Sequence, residues 1–238
     1  MHEEPSAYWS RALESGTVER WVRHAKRKMR IWKVTVKILR GLKRTLDMVG
    51  GGGALLAFSP IFALTALLIK IEDGGAVFFR QNRVGEGGKL FGMWKFRSMV
   101  PNADKLKDRL LDVNQHGNAG VTFKMKDDPR ITKVGKWIRK LSVDEFPQFY
   151  NVLKGDMSLV GPRPPVPREV AEYKAVHLRR LRVKPGITCL WQIGGRAEID
   201  FEGQVRLDLQ YIRSSSPAMD VAILLKTVPA VLFGKGAY

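Results

Sequence analysis

Between Asp47 and Lys70 the chain carries no charged residue for 22 positions, Met48 to Ile69, MVGGGGALLAFSPIFALTALLI. As one straight helix that run is roughly 33 Å long, enough to cross the hydrocarbon core of a bilayer. Ser59-Pro60 interrupts it near the middle. Proline lacks the N–H that an interior helical residue donates and crowds the preceding turn, so a bend is expected there. The Ser59 hydroxyl can partner a carbonyl that Pro60 leaves unsatisfied. Each half is then about one leaflet deep. Upstream lie Lys26, Arg27, Lys28, Arg30, Lys33, Lys37, Arg40, Lys43 and Arg44, and downstream Lys70, Arg80, Arg83 and Lys89. Basic residues favour the cytoplasmic side. A helix that enters one leaflet, breaks and returns satisfies both flanks, whereas a Pro-kinked spanning helix satisfies one. Residues 46–71 are therefore read as a re-entrant membrane hairpin, with both termini on the cytoplasmic side.

Ahead of it, residues 1–45 hold a basic amphipathic helix. Val18, Val22, Ala25, Met29, Trp32, Val36 and Leu39 recur at spacings of three and four from Thr17 to Thr45. Such a helix suits an anionic membrane surface. The formal net charge of +18 over 238 residues asks for a polyanionic partner. Nucleic acid is set aside, because the basic residues flank an apolar run and no nucleic-acid-binding motif is present. A lone Cys189 excludes an intramolecular disulfide and reads as a packing residue. His2, His24, His116 and His177 lack metal-ligand spacing, so no zinc site is expected. No secretory signal is expected, because the first apolar run lies far from Met1.

Residues 72–238 read as a small, mainly helical α/β domain containing a short β-hairpin. Ala76 to Val84 and Lys89 to Met99 form its strands around the turn Gly85-Glu86-Gly87-Gly88. Helices are predicted over Asp104–Val113, Lys133–Lys140, Val143–Leu153, Val166–Arg182 and Phe201–Arg213. Loops or turns are expected at Gly117–Gly120, at Asp127-Asp128-Pro129-Arg130 and at Lys184-Pro185-Gly186. The apolar tail Met219–Phe233, interrupted by Lys226 and Pro229, is expected at the membrane interface. Trp137 and Trp191 read as core or interface packing.

The densest chemistry lies in Asp128 to Pro165, DPRITKVGKWIRKLSVDEFPQFYNVLKGDMSLVGPRPP. Locally, Ser142-Val143-Asp144-Glu145 matches a capping box, with Ser142 capping a helix and Glu145 reaching back. The functional alternative is an acidic pair beside phosphate-holding cations, and Arg130, Arg139, Lys140 and Arg163 stand in the same stretch.

Taken together, Ser59-Pro60, Lys95-Phe96-Arg97-Ser98-Met99, Asp128-Pro129-Arg130, Asp144-Glu145, the run Gly155 to Pro164 (GDMSLVGPRP) and Lys184-Pro185-Gly186-Ile187-Thr188 closely resemble the bacterial sugar transferase family. These are monotopic phosphoglycosyl transferases that start lipid-linked glycan assembly. The likeness runs from about Lys43 to the C-terminal region. It implies a minimal member, with a catalytic core, an amphipathic N-terminal extension and no further membrane helices ahead of Lys43. Cys189 stands where relatives usually have glycine, Gly194 where many have serine, and Val143 and Phe146 replace the usual leucines beside the acidic pair. No charged motif position is altered.

The resemblance implies a two-step transfer of a sugar phosphate from a nucleotide diphosphate-sugar, with uridine as the expected nucleoside, to a polyprenyl phosphate such as undecaprenyl phosphate. Asp144 is the expected nucleophile, and Glu145 assists through a metal or proton. Magnesium, held by Asp144 and Glu145, is the expected cofactor, because two anions must be brought together. Arg163, set between Pro162 and Pro164, and Arg139 are the expected phosphate clamps. Lys95, Arg97 and Arg130 are further candidates, each open to a purely structural role. The implied site of action is the bacterial inner membrane. Self-association into a homo-oligomer stays open, and a non-catalytic membrane scaffold is the rival that leaves the acidic pair unexplained.

Overall fold

A computed structural model of the chain describes residues 17–101, 103, 128–195 and 199–233. The chain divides into two compact units at Arg44–Thr45. Helix α1 runs from Thr17 to Ala57. In its first unit Trp21, Met29, Ile31, Trp32, Ile38 and Leu39 are exposed, and Glu19 pairs with Arg23 at 3.4 Å.

In the second unit, α1 gives way at Phe58 to α2 (Ser59–Asp73), and the pair bends by 57°. The cause is local. Pro60 has no N–H to offer the carbonyl of Leu56, four residues back, and the Ser59 hydroxyl donates to that carbonyl at 2.8 Å instead. The ladder continues on either side, from Phe58 N to Ala54 O and from Phe62 N to Phe58 O, both 2.9 Å. Among the described residues no single helix is long and apolar enough to cross a membrane, while this bent pair is, by length and composition. Met48, Val49, Leu56, Leu64, Leu67 and Ile71 are exposed along it. Its other face packs inward. Gly50 lies so close to Leu159 that a Cβ would sit 2.6 Å from Cδ1, which explains a glycine inside a helix.

Strands β1 (Phe78–Val84) and β2 (Leu90–Phe96) form an antiparallel hairpin, registered from Phe78 opposite Phe96 to Val84 opposite Leu90. Next come α3 (Lys133–Lys140), a 3₁₀ turn at Val143–Glu145, and α4 (Gln148–Lys154). Strand β3 (Ser158–Val160) follows, then α5 (Pro167–Ala171) and a 3₁₀ segment at His177–Arg182. Strand β4 (Gly186–Thr188), α6 (Leu190–Gly194), α7 (Phe201–Ser214) and α8 (Pro217–Phe233) come last among the described residues. Strands β3 and β4 pair in parallel, Ser158 with Gly186 and Val160 with Thr188. Gly186 has no room for a side chain, since a Cβ would stand 2.1 Å from Gly161 N.

One core gathers Met93, Val152, Met157, Leu159, Val160, Tyr211 and Ile223; the other gathers Ile69, Phe96, Ile138 and Val143. Polar bolts hold the pieces in register. Buried Asp47, the last charge before the apolar run, accepts from Ser158 Oγ at 2.8 Å and from Leu159 N at 2.9 Å. Glu72, at the far end of α2, accepts from Lys133 N at 2.7 Å and Val134 N at 3.2 Å, capping α3. Arg180 donates to Asp208 at 2.7 Å in a buried ion pair.

The mainly helical architecture and the β-hairpin agree with the sequence reading, as do helices at Lys133–Lys140 and near Phe201–Arg213. Four features differ. The apolar tail forms one continuous helix through Lys226 and Pro229. The stretch expected as one helix over Val166–Arg182 breaks at Glu172 and resumes as a 3₁₀ segment. The β3–β4 sheet was not expected. Finally, Ser142 caps nothing: its backbone is left-handed (φ 54), its side chain makes no capping bond, and α4 begins at Gln148. Pro147, at the N-cap of α4, separates the acidic pair from that helix. The helix expected at Asp104–Val113, the loop at Gly117–Gly120 and Asp127 lie outside the described residues.

Candidate active site

Helix α3 is short and delivers Arg139 into its last turn. The chain must then reverse within two residues. Ser142, the one non-glycine residue with positive φ among those described, makes that reversal, at a conformation that costs an L-residue about 1–2 kcal/mol. The following 3₁₀ turn places Val143 in the core and turns Asp144 and Glu145 toward strand β2. Residues on a 3₁₀ turn point about 120° apart, so the two carboxylates have different surroundings.

Lys95 of β2 meets both. Its Nζ donates to Glu145 Oε1 at 3.0 Å and stands 3.9 Å from Asp144 Oδ2. Burial raises the Asp144 carboxyl above its ordinary range, and the negative charge of Glu145 adds to this, against the opposing pull of Lys95, Arg139 and Arg163. Burial pushes Glu145 the same way, but Lys95 and Arg163 outweigh it and hold that carboxyl below its ordinary range. One carboxylate is thus firmly ionised, and the other is within easy reach of a proton.

Glu145 and Lys95 open onto a narrow cleft shared with Arg83, Gln148, Arg163 and Gln192. The loop carrying Arg163 is gripped on both sides. Gly161 N donates to Thr188 O at 3.0 Å, and Gly186 N donates to Pro162 O at 2.9 Å. On the other side, Arg83 Nη1 donates to Pro164 O at 2.8 Å, and Val84 N donates to Pro165 O at 2.9 Å. Pro162 and Pro164 therefore serve as anchored carbonyls around Arg163. Arg83 is itself fixed by Gln81, whose Oε1 accepts from Nε at 3.0 Å and from Nη2 at 2.7 Å. Burial, then the neighbouring Arg163, pulls the Arg83 guanidinium down to about 10. Two arginines held this close favour an anion between them.

The structure thus brings Asp144, Glu145, Lys95, Arg139, Arg163 and Pro164 together. Arg97 and Arg130 are each paired with a carboxylate of their own. Arg97 makes a bidentate pair with Asp73, with Nη1 to Oδ2 at 2.6 Å, and donates to Ala76 O at 2.6 Å, closing the end of α2. Arg130 is buried on Asp128, with Nε to Oδ1 at 2.8 Å. Their positions in the chain do not set them apart from Arg163; their carboxylate partners do. Arg83 and Gln148 were missed as site residues. Arg83 was counted among the charges flanking the apolar run, although the alternation of Gln81 and Arg83 along a strand gives both one face. Ser59 and Pro60 sit at the bend, and the adjoining Phe58 stacks on Phe146 at 4.6 Å, next to Glu145. Phe146, one of the departures from the usual family residues, is the contact between bend and acidic pair.

A magnesium ion would find two protein carboxylates here. Among the described residues no group of three or more His, Cys, Asp or Glu side chains converges. Magnesium is ordinarily held by one or two carboxylates plus substrate phosphates and water. Asp144 and Glu145 fit that donor set, with one Glu145 oxygen already taken by Lys95.

The bacterial sugar transferase family profile matches residues 38–234. The chain is 52% identical over 196 residues to the galactosyl transferase CpsE of Streptococcus agalactiae serotype III, covering 82% of this chain and 43% of that relative. It is 41% identical over 198 residues to the exopolysaccharide production protein ExoY of Rhizobium meliloti, covering 82% of this chain and 88% of the relative. It is 46% identical over 202 residues to the undecaprenyl-phosphate galactose phosphotransferase of Salmonella typhimurium, covering 84% of this chain and 42% of the relative. The chain therefore spans less than half of two of these relatives and most of the third. On the extent of these matches, the chain belongs to the bacterial sugar transferase family.

Proposed function

We propose that the chain is a membrane-associated phosphoglycosyl transferase that moves a sugar phosphate from a UDP-sugar to undecaprenyl phosphate at the start of exopolysaccharide or related glycan assembly. The observation that carries this reading is the Lys95-bridged pair Asp144–Glu145, set beside Arg163 and Arg83 in one cleft and joined through Phe146 to the bend of an apolar helix pair. Relatives named as undecaprenyl-phosphate galactose and glucose phosphotransferases support the reaction class.

In the first step an Asp144 carboxylate oxygen bonds to the sugar-bearing phosphorus. The bond from that phosphorus to the bridging oxygen breaks, and its electron pair leaves on the nucleoside monophosphate. In the second step an oxygen of the lipid phosphate attacks the same phosphorus, and the acyl-phosphate bond breaks back to a free Asp144 carboxylate. Arg163 and Arg139 hold phosphate oxygens, and Lys95 keeps Glu145 ionised beside the reacting group. A magnesium ion held by Asp144 and Glu145 would supply charge neutralisation to the donor pyrophosphate. The bent pair, residing as a re-entrant hairpin in the cytoplasmic leaflet of the inner membrane, sets this chemistry at headgroup depth. There a soluble donor and a lipid phosphate can both reach it.

The test is release of nucleoside monophosphate by protein in nanodiscs, with magnesium, undecaprenyl phosphate and a panel of UDP-sugars. Release that depends on lipid phosphate and falls at least a thousandfold in Asp144→Asn is expected. Undiminished release by the variant removes Asp144 as nucleophile, and no release with any donor leaves the scaffold reading in its place.

A further inference from the structure

Gln148 opens helix α4, three positions beyond Glu145, and lines the cleft shared by Arg83, Lys95 and Arg163. It is 3% exposed, yet its side-chain amide has no hydrogen-bond partner among the described residues. Its amide is not among the polar atoms sealed from solvent without a partner, which among the described residues are Trp191 Nε1 and Asp208 Oδ1, so the end of an otherwise buried side chain is left open to the cleft. Asn151, one turn further along the same helix, shows what a structural amide does here. Its Oδ1 accepts from Trp94 N at 3.0 Å, and its Nδ2 donates to Gly92 O at 2.9 Å and to Asp156 at 3.2 Å. Asn151 ties α4 to β2, whereas Gln148 ties nothing and faces a cleft.

The rest of the cleft narrows the class of ligand. Arg83, Arg163 and Lys95 supply cationic donors, which suit phosphate oxygens. An amide presents an acceptor oxygen beside its donor. The oxygen would face phosphate oxygens unfavourably, but donor and acceptor together match a hydroxyl, which accepts and donates in turn. A ligand with hydroxyls next to a phosphate is a phosphorylated sugar. We propose that Gln148 is a substrate-binding residue that hydrogen-bonds a hydroxyl of the phosphosugar held in this cleft. It thereby gives the cleft a means of telling a sugar phosphate from a bare phosphate. The proposal rests on the transferase reading for the identity of the ligand.

The test compares the full chain in nanodiscs with its Gln148→Met variant, which keeps the side-chain length and removes the amide. Binding of glucose 1-phosphate, galactose 1-phosphate and inorganic phosphate is measured by calorimetry, with Tm alongside. Wild-type protein is expected to bind at least one hexose phosphate about tenfold more tightly than inorganic phosphate. In Gln148→Met that advantage disappears, inorganic phosphate binding is unchanged, and Tm is unchanged or higher, because no partner is left stranded. A variant that keeps the advantage overturns the proposal, as does wild-type protein that shows none. Tm and inorganic phosphate binding falling together would assign Gln148 a structural role and overturn it equally. Binding needs no turnover, so an absence of nucleoside monophosphate release would sink the transferase reading while the hexose phosphates still judge Gln148.

Discussion

At Lys95 one ammonium faces two carboxylates and leaves them in different protonation regimes. As the proposed nucleophile Asp144 must be ionised to attack, and its carboxyl is raised by burial. Activity is therefore expected to fall as pH drops through a limb above the ordinary aspartate value of about 4. In Lys95→Met the cation that opposes burial is gone, so the limb should move further up; a kcat/KM profile against pH reads both. Glu145 behaves oppositely. Its depressed carboxyl contributes stability that is present above its unfolded value and lost as pH falls through its folded one. Lys95→Met should remove that contribution, at a cost on the order of 3 kcal/mol near neutral pH, with the loss shrinking in acid. The acidic pair was legible in the sequence because its neighbours form long motifs. Arg97 and Arg130 were not separable from Arg163 by charge, since the decision lay with Asp73 and Asp128. Gln148 carried no charge to draw notice.

At the scale of elements, the reversal at Ser142 and the bend at Phe58 are backbone events, and sequence pattern read one of them. Proline announces a missing donor, so the bend and its serine repair were both visible. Ser142 instead sits in a pattern that resembles a cap, yet Pro147 and the burial of Val143 impose a turn. Ser142→Gly should raise stability by roughly 1 kcal/mol by relieving the left-handed backbone, seen as a higher Tm, while Ser142→Val should lower it. Pro60→Ala restores an N–H for Leu56 O and releases the Ser59 hydroxyl. We expect the straightened helix to carry part of the population across the bilayer. Cysteine accessibility at the two termini would then report opposite sides, whereas the parent chain reports one. Strands β3 and β4 escaped notice because three residues each cannot display a period. They lie in motifs that surround them with glycines and prolines.

For the whole molecule, the sequence conveyed the sum of the charge but not its assignment between surface and site. The arginines flanking the apolar run belong to both. High salt weakens the attraction of the basic helix to anionic lipid but leaves the apolar pair untouched. The protein is therefore expected to remain with membranes in 1 M salt and to need detergent for release; sedimentation of washed membranes decides it. The inward bonds of Asp47 have a bearing on biogenesis. Asp47 and its partner Ser158 are 111 residues apart. At the usual pace of synthesis, roughly 5–20 residues per second, the apolar helices leave the ribosome about 5–20 s before the strand that will hold them. Throughout that interval the bonds from Ser158 and Leu159 are not available to the Asp47 carboxylate. An ionised group in water resists being drawn into lipid, so in the proposed re-entrant hairpin Asp47 would act as a doorstop against the helix pair sliding through before its domain exists.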